Sequence, residues 1–213
     1  MDIMQVTGRH GLLTAIELLK AADAVPLGEA MLEGGLTVGE VTFRTEAAVQ
    51  ALRTLANTYP QMTVGAGSVV FVEQARQALE AGAKFIVSAG FNPELVDWCI
   101  ANELPVLPGV ATASELTMAM VRGLRVVKFF PAEIMGGIKG IQALSAPFPG
   151  MKFIPMGGVS VANMANYLHI PSVHAIGGSW PVHKKFIADG NYAEITRLIR
   201  EALTICQDAR GAV

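Results

Sequence analysis

The chain contains 213 residues, of which 52% are hydrophobic and 16% are charged, and its formal net charge is −2. This charge gives no electrostatic reason to expect nucleic acid or an anionic membrane as a partner. The length allows a single domain, and the high apolar content predicts a large core together with apolar surface that other subunits cover.

Apolar runs and helical spacings alternate along the whole chain. The first predicted strand is 12–16, and the helix that follows it, 21–32, ends at a glycine pair. The remaining predicted strands are 38–42, 63–67, 84–88, 105–108, 126–130, 152–155 and 172–176. The remaining predicted helices are 47–59, 72–80, 93–101, 112–122, 138–144, 161–168 and 192–209.

The predicted elements form eight strand-helix units. Strands that are apolar on both sides are typical of a parallel sheet covered by helices, and eight of them fit a closed (β/α)8 TIM barrel. A doubly wound open sheet is the alternative fold. No linker, low-complexity tract or change of composition marks a second domain, so residues 1–213 are predicted to form one barrel domain.

Lys128 lies near the end of the sixth predicted strand, within an apolar run of valines and phenylalanines. A lysine in such a place loses hydration, which favours the neutral amine that carbonyl chemistry needs. The alternative is a lysine that extends from an edge strand to the surface.

Glu40 lies in the second predicted strand, and a carboxylate there is costly to bury unless it is paired or used. In a barrel, chemistry belongs at the carboxyl ends of the strands, where Thr42, Arg44 and Ser68 also lie. The second and sixth strands face each other across an interior only side-chain wide, so Glu40 and Lys128 are expected to meet. A buried salt bridge without chemistry is the alternative. Arg44 either caps its loop or grips a substrate carboxylate.

Two glycine pairs follow late strands: Gly157-Gly158 after the seventh and Gly177-Gly178 after the eighth. Bare backbone N–H groups in the loops after these two strands are the usual phosphate site of such barrels. The two pairs together therefore predict an anion site, although glycines also serve tight turns.

Cysteine and histidine spacing gives no metal or redox signal. Cys99 and Cys206 are far apart and are expected to be reduced and partly buried. The four histidines lack ligand spacing, and only an oxygen-ligand cation site stays open. Because the chain has no long apolar segment and no secretory leader pattern, we expect a cytoplasmic protein that does not enter a membrane.

Five segments, taken together, identify a family resemblance that runs from about residue 12 to the end of the chain. They are EVTFRT at 40–45, GAGSV at 65–69, KFFPAE at 128–133, GGVS at 157–160 and GGSW at 177–180. The chain thereby resembles the bacterial 2-keto-3-deoxy-6-phosphogluconate (KDPG) aldolases, also called 4-hydroxy-2-oxoglutarate (KHG) aldolases. The first and third of these motifs are specific, whereas a glycine pair is not.

The resemblance implies a homotrimeric (β/α)8 class I aldolase with no metal or other cofactor. Such an enzyme reversibly cleaves its sugar-acid phosphate into pyruvate and glyceraldehyde 3-phosphate. By motif, Lys128 would form the Schiff base and Glu40 would move protons, through a bridging water. The residues that would bind substrate are Arg44 and Ser68 at the pyruvyl carboxylate, Phe130 against the substrate, and Gly157, Gly158, Gly178 and Ser179 at the phosphate.

Four positions depart from the family's frequent residues. Ser68 stands where threonine is common, Ala89 replaces the proline of a frequent SPG motif, and Met156 replaces the threonine of a frequent PTGG motif. Glu17 lies at the end of the first strand, where many members carry a basic or apolar residue, and adds negative charge near an anionic substrate.

These departures leave the substrate open. One alternative is an aldolase for 4-hydroxy-2-oxoglutarate, the galactonate epimer or another pyruvate adduct. A second is a barrel that binds a phosphate ligand without lyase activity, in which Lys128 and Glu40 merely pair.

Overall fold

A computed structural model describes residues 3–211. Its strands are β1 (Leu12–Ile16), β2 (Val38–Thr42), β3 (Thr63–Gly67), β4 (Ile86–Val87), β5 (Val106–Leu107), β6 (Gly109–Val110), β7 (Val126–Phe129), β8 (Lys152–Pro155) and β9 (Ile176–Gly178). Its helices are α1 (Ile3–His10), α2 (Ala24–Glu33), α3 (Ala48–Thr58), α4 (Val72–Glu80), α5 (Pro93–Ala101), α6 (Ala113–Val121), α7 (Gly137–Ser145), α8 (Met164–Leu168), α9 (Lys184–Ala188) and α10 (Tyr192–Gly211).

All paired strands are parallel. One sheet has six strands in the order β5-β4-β3-β2-β1-β9, and a second has three in the order β6-β7-β8. The chain therefore has an α/β fold with parallel strands connected by helices, as the apolar strand pattern predicts. In the register, Glu40 of β2 lies between Ala15 and Gly65, and Lys128 of β7 lies between Gly109 and Ile154.

The short strands β5 and β6 are separated by a single residue, Pro108. Proline has no N–H to donate to a ladder, but its carbonyl accepts a hydrogen bond from the N–H of Lys128 at 3.0 Å. The predicted strand 105–108 is therefore interrupted where β6 begins to pair with β7.

The predicted strand 172–176 is wrong, because β9 begins only at Ile176. Val173 forms a single bridge with Phe153, whereas Gly177 and Gly178 pair with Leu13 and Thr14 of β1. The second glycine pair therefore belongs to a strand. A Cβ atom at position 177 would lie 2.2 Å from the end of the Met156 side chain, so any other residue there would displace Met156.

Two helices, α1 and α9, were not predicted from the sequence. The first covers a segment that was interpreted only as a polar start, and the second is five residues long. Helix α8 begins at Met164 instead of residue 161, so Gly157-Gly158 does not open a helix directly.

The core is built from strand residues and the apolar faces of the helices. Among residues 3–211, Glu40 and Lys128 are the only charged side chains that are buried. In the same part of the chain, no helix combines the length and the apolar character needed to cross a bilayer.

Candidate active site

Lys128 and Glu40 lie on strands of different sheets and their side chains meet, as predicted. The Nζ atom of Lys128 lies 3.9 Å from Oε1 of Glu40, and the two side chains are only 7% and 1% exposed. This distance is longer than a hydrogen bond, so the amine is near the carboxylate without being bound tightly to it. An amine held this way is close enough to exchange protons with the acid through small movements or a water molecule.

The carboxyl group of Glu40 is poorly compensated. Its Oε2 atom is buried and accepts no hydrogen bond from any other residue in the described part of the chain. Burial raises the pKa of this carboxyl group, and the positive charges of Lys128 and Arg44 only partly oppose the effect. A carboxyl group whose pKa is raised above its ordinary value holds its proton more readily and is suited to proton transfer.

Phe130 follows Lys128 on the same chain segment and packs on it. The Lys128 Nζ atom lies 4.9 Å from the centroid of the Phe130 ring. The ring therefore covers one side of the amine at the edge of the cavity.

These groups open into a cavity of about 570 Å³. Eight of the nine predicted site residues line it, and the exception is Gly158. The lining residues are Ala15, Glu40, Thr42, Phe43, Arg44, Ser68, Val70, Gln74, Ala89, Lys128, Phe130, Met156, Gly157, Gly178 and Ser179. Three of the four family departures, Ser68, Ala89 and Met156, are thus cavity residues.

Arg44 reaches the rim of the cavity from the turn after β2. Its guanidinium is more than half exposed and pairs with Glu17 at 2.8 Å. The turn is held by neighbouring hydroxyl groups: Thr42 donates to the carbonyl of Ile16, and Thr45 donates to the carbonyl of Leu18. The guanidinium therefore stands on a fixed backbone but on a long and solvated side chain.

Ser68 follows β3 with its backbone in the left-handed region, at φ 56°. Only glycine adopts this conformation without cost, so a serine there indicates a constraint at the site. The loop that follows Ser68 is fixed by Gln74, whose side chain accepts hydrogen bonds from the N–H groups of Val70 and Phe71.

The glycine loop after β8 has a backbone conformation that strongly favours glycine. Gly157 and Gly158 have φ values of 91° and 86°. Within the described residues, their N–H groups donate no hydrogen bond. Glu133 supports the loop from below through its backbone contact with Gly157, and Asn163 donates to the carbonyl of Gly158 at 3.0 Å.

Several cavity residues were not singled out from the sequence. Ala15, Phe43, Val70 and Gln74 line the cavity without carrying a polar signal at a strand end. Ser88 lies at a strand end but donates to the carbonyl of Gly90, at 2.8 Å, and holds a turn instead.

The thiols and the other polar clusters lie outside this chemistry. Cys99 and Cys206 are free and buried, and burial raises their pKa values to about 12 and about 11. Within residues 3–211, no group of three or more His, Cys, Asp or Glu side chains is arranged to hold a metal ion.

Comparison with known proteins places the chain in a family. Residues 3–198 match the model of the family described as KDPG and KHG aldolase. A Treponema pallidum protein named 2-dehydro-3-deoxy-phosphogluconate aldolase is 41% identical over 205 residues, which cover 96% of this chain and 98% of that protein.

Two solved structures are similar over the whole fold. KDPG aldolase from Legionella pneumophila, with pyruvate captured at low pH as a covalent carbinolamine intermediate, has a TM-score of 0.92 at 39% identity, covering 95% of this chain and 98% of that one. The enzyme from Zymomonas mobilis with 3-phosphoglycerate has a TM-score of 0.89 at 36% identity, covering 96% of each chain.

The fold, the cavity and these similarities define the chain as an aldolase, a carbon–carbon lyase. The alternative of a ligand-binding barrel without lyase activity is therefore not supported. The chain belongs to the KDPG and KHG aldolase family.

Proposed function

We propose that the chain is a class I aldolase that reversibly cleaves 2-keto-3-deoxy-6-phosphogluconate into pyruvate and glyceraldehyde 3-phosphate. The observation that carries this proposal is the buried amine of Lys128, 3.9 Å from the buried carboxyl group of Glu40, at a cavity large enough for a sugar acid. The capture of pyruvate as a carbinolamine by the Legionella pneumophila enzyme supports the same chemistry here.

The reaction starts at the ketone carbon of the substrate. The neutral amine of Lys128 attacks this carbon and forms a carbinolamine, and Glu40 then donates a proton to the hydroxyl group, which leaves as water. The resulting iminium is an electron sink next to the bond that must break.

Cleavage follows when the Glu40 carboxylate takes the proton of the C4 hydroxyl group. The C3–C4 electron pair moves into the iminium, the aldehyde leaves, and an enamine remains on Lys128. Protonation of the enamine at C3 and hydrolysis of the new iminium release pyruvate and restore the amine. The raised pKa of the Glu40 carboxyl group suits these alternating acid and base steps.

Binding of the substrate is divided between the two ends of the cavity. Arg44 and Ser68 hold the pyruvyl carboxylate, and Phe130 packs on the carbon chain next to Lys128. The phosphate is held by Gly157, Gly158, Gly178 and Ser179. The unused N–H groups of Gly157 and Gly158 support this role, as does the 3-phosphoglycerate held by the Zymomonas mobilis enzyme.

A second substrate, 4-hydroxy-2-oxoglutarate, is proposed for the same site. It shares the pyruvyl end and the C4 hydroxyl group, and it lacks a phosphate. The name of the family and the family departures Ala89 and Met156, which line the cavity, favour testing it and the galactonate epimer alongside the phosphogluconate.

The fold proposal is a closed (β/α)8 barrel in one domain. Support comes from the two places where the sheets meet. Only Pro108 separates β5 from β6, and the bridge between Phe153 and Val173 leads from β8 toward β9, which pairs with β1.

We also propose a homotrimer. Large apolar side chains are exposed on the single chain, among them Phe71 at 64%, Val121 at 75% and Ile134 at 84%. Surfaces of this kind are commonly covered by other subunits. Light scattering would reject this assembly if the chain had the mass of a monomer.

The central experiment compares the wild-type chain with Lys128→Met. We expect the wild type to release pyruvate from the phosphorylated substrate and Lys128→Met to lose at least about 10⁴-fold in kcat. Borohydride reduction with pyruvate, followed by mass spectrometry, should attach an adduct to Lys128. A wild-type chain without this adduct would contradict the Schiff-base mechanism.

A further inference from the structure

Two charged residues at the rim of the cavity, Glu17 and Lys184, are not assigned by the proposed mechanism. Glu17 follows β1 and uses both carboxylate oxygens: Oε2 lies 2.8 Å from Nη2 of Arg44, and Oε1 lies 2.8 Å from Nζ of Lys184. Glu17 is 23% exposed, whereas both cations are 57% exposed. The carboxylate is therefore the enclosed centre of a three-charge chain.

The three charged side chains, Arg44, Glu17 and Lys184, lie at the border of the substrate cavity. A smaller cavity of about 210 Å³ lies between Glu17, Lys184 and Ser179. It shares Ala15, Arg44 and Ser179 with the main cavity. Glu17 thus lines the same small cavity as Arg44, which is proposed for the substrate carboxylate, and Ser179, which is proposed for the phosphate.

Lys184 changes the electrostatic effect of this carboxylate. Its hydrogen bond to Glu17 is the largest cause that lowers the pKa of the Glu17 carboxyl group, so Glu17 is ionised at neutral pH. An ionised carboxylate beside Arg44 competes with an anionic substrate for the guanidinium. It also repels the substrate, because both are negatively charged. With Lys184 in place, the three charges sum to +1. Lys20 and Asp23 line a further cavity together with Glu17 and Lys184, and the opposite charges of Lys20 and Asp23 cancel.

We propose that Lys184 determines the affinity for anionic substrates by neutralising the Glu17 carboxylate beside Arg44. Neither residue touches the reacting atoms. This inference rests on the proposed role of Arg44 in binding the substrate carboxylate.

The test uses Lys184→Met, which keeps the aliphatic stem and removes the charge. We expect its KM for the phosphorylated substrate to rise about fivefold at low ionic strength, with kcat within about twofold of the wild type, because only binding of the anion is weakened. The increase in KM should shrink at high salt, since both cations are largely exposed.

Two further variants separate this role from a general loss of positive charge. Lys185→Met removes the neighbouring charge, which pairs with Asp189 and lines neither cavity, and should leave KM unchanged. Adding Glu17→Gln to Lys184→Met removes the uncompensated carboxylate and should return KM to within about twofold of the wild type. A Lys184→Met variant that matches Lys185→Met would overturn the inference, and so would a double variant without recovery.

A second readout keeps the result separate from the aldolase proposal. The pyruvate concentration that gives half-maximal thermal stabilisation is measured for the same variants, because it needs no turnover. It should rise in Lys184→Met and recover in the double variant, and equal values in all variants would refute the role of the pair. Failure of the wild type to release pyruvate would instead count against the proposed reaction.

Discussion

The carboxyl group of Glu40 lies directly against Gly67 on the neighbouring strand β3. A Cβ atom at position 67 would approach the Glu40 carboxyl carbon to 2.7 Å, closer than such contacts occur. The carboxyl group of Glu40 therefore occupies space that is available only because Gly67 has no side chain. This relationship links a glycine of the GAGSV segment to the proposed proton transfer.

Gly67→Ala should displace the Glu40 carboxyl group. The backbone of Gly67 does not have a positive φ, so alanine fits the strand and the cost is one of crowding, about 1 to 3 kcal/mol of stability. We expect kcat to fall about 10²-fold, since a shift of about 1 Å misplaces the acid. Steady-state kinetics on the folded variant measure this.

The matched control is Gly90→Ala, because a Cβ atom at Gly90 meets nothing within 4 Å. Equal kcat values for the two variants would contradict the argument.

Ser68→Gly should separate strain from binding. Glycine relieves the left-handed backbone at φ 56°, and we expect stability to rise by about 0.5 to 1 kcal/mol. Loss of the hydroxyl group should at the same time raise the half-saturating concentration of pyruvate about fivefold. Urea unfolding and pyruvate-dependent thermal shifts measure the two effects.

The control for Ser68→Gly is Glu103→Gly. Glu103 has φ 54°, lies on the exposed turn after α5 and does not line the cavity. It should gain similar stability with unchanged pyruvate binding. If Ser68→Gly also leaves binding unchanged, the hydroxyl group does not hold the carboxylate.

The sequence was sufficient to predict the elements whose signals are local. The strand patterns around Glu40 and Lys128 and their positions at strand ends were enough to predict that the two side chains meet. The ion pairs of Glu17 could not be predicted, because Lys184 is brought to Glu17 by β9 and the turn after it, 167 residues further along the chain. The strand at Gly177-Gly178 was missed because glycine has low strand propensity, and it is defined by pairing with Leu13 and Thr14 of β1.

The pH dependence of stability should report the buried carboxyl group. Because the folded-state pKa of Glu40 is raised above the ordinary value of 4.5, the folded state holds this proton where the unfolded state loses it. Its contribution to stability is therefore fully present below pH 4.5 and is lost as pH rises toward the folded-state pKa. Glu40→Gln has no such loss. The Tm of Glu40→Gln relative to the wild type should increase with pH above about 4.5, as measured by thermal melts from pH 4 to 8. A constant difference across this range would contradict a raised pKa.

Gly158→Ala should weaken binding of the phosphate without affecting the pyruvyl end. Position 158 has φ 86°, so alanine costs about 1 to 2 kcal/mol of backbone strain. In addition, its Cβ atom would lie 2.4 Å from Cγ of Glu133, so the glycine loop must move away from its support. We expect KM for 2-keto-3-deoxy-6-phosphogluconate to rise about tenfold or more and the half-saturating concentration of pyruvate to stay within about twofold.

Gly150→Ala is the matched control, because it has the same φ of 86° and its Cβ atom meets nothing within 4 Å. It carries the backbone strain alone, and its KM should equal that of the wild type. Should Gly158→Ala raise the values for both ligands equally, the loop would support the whole cavity and not a phosphate subsite.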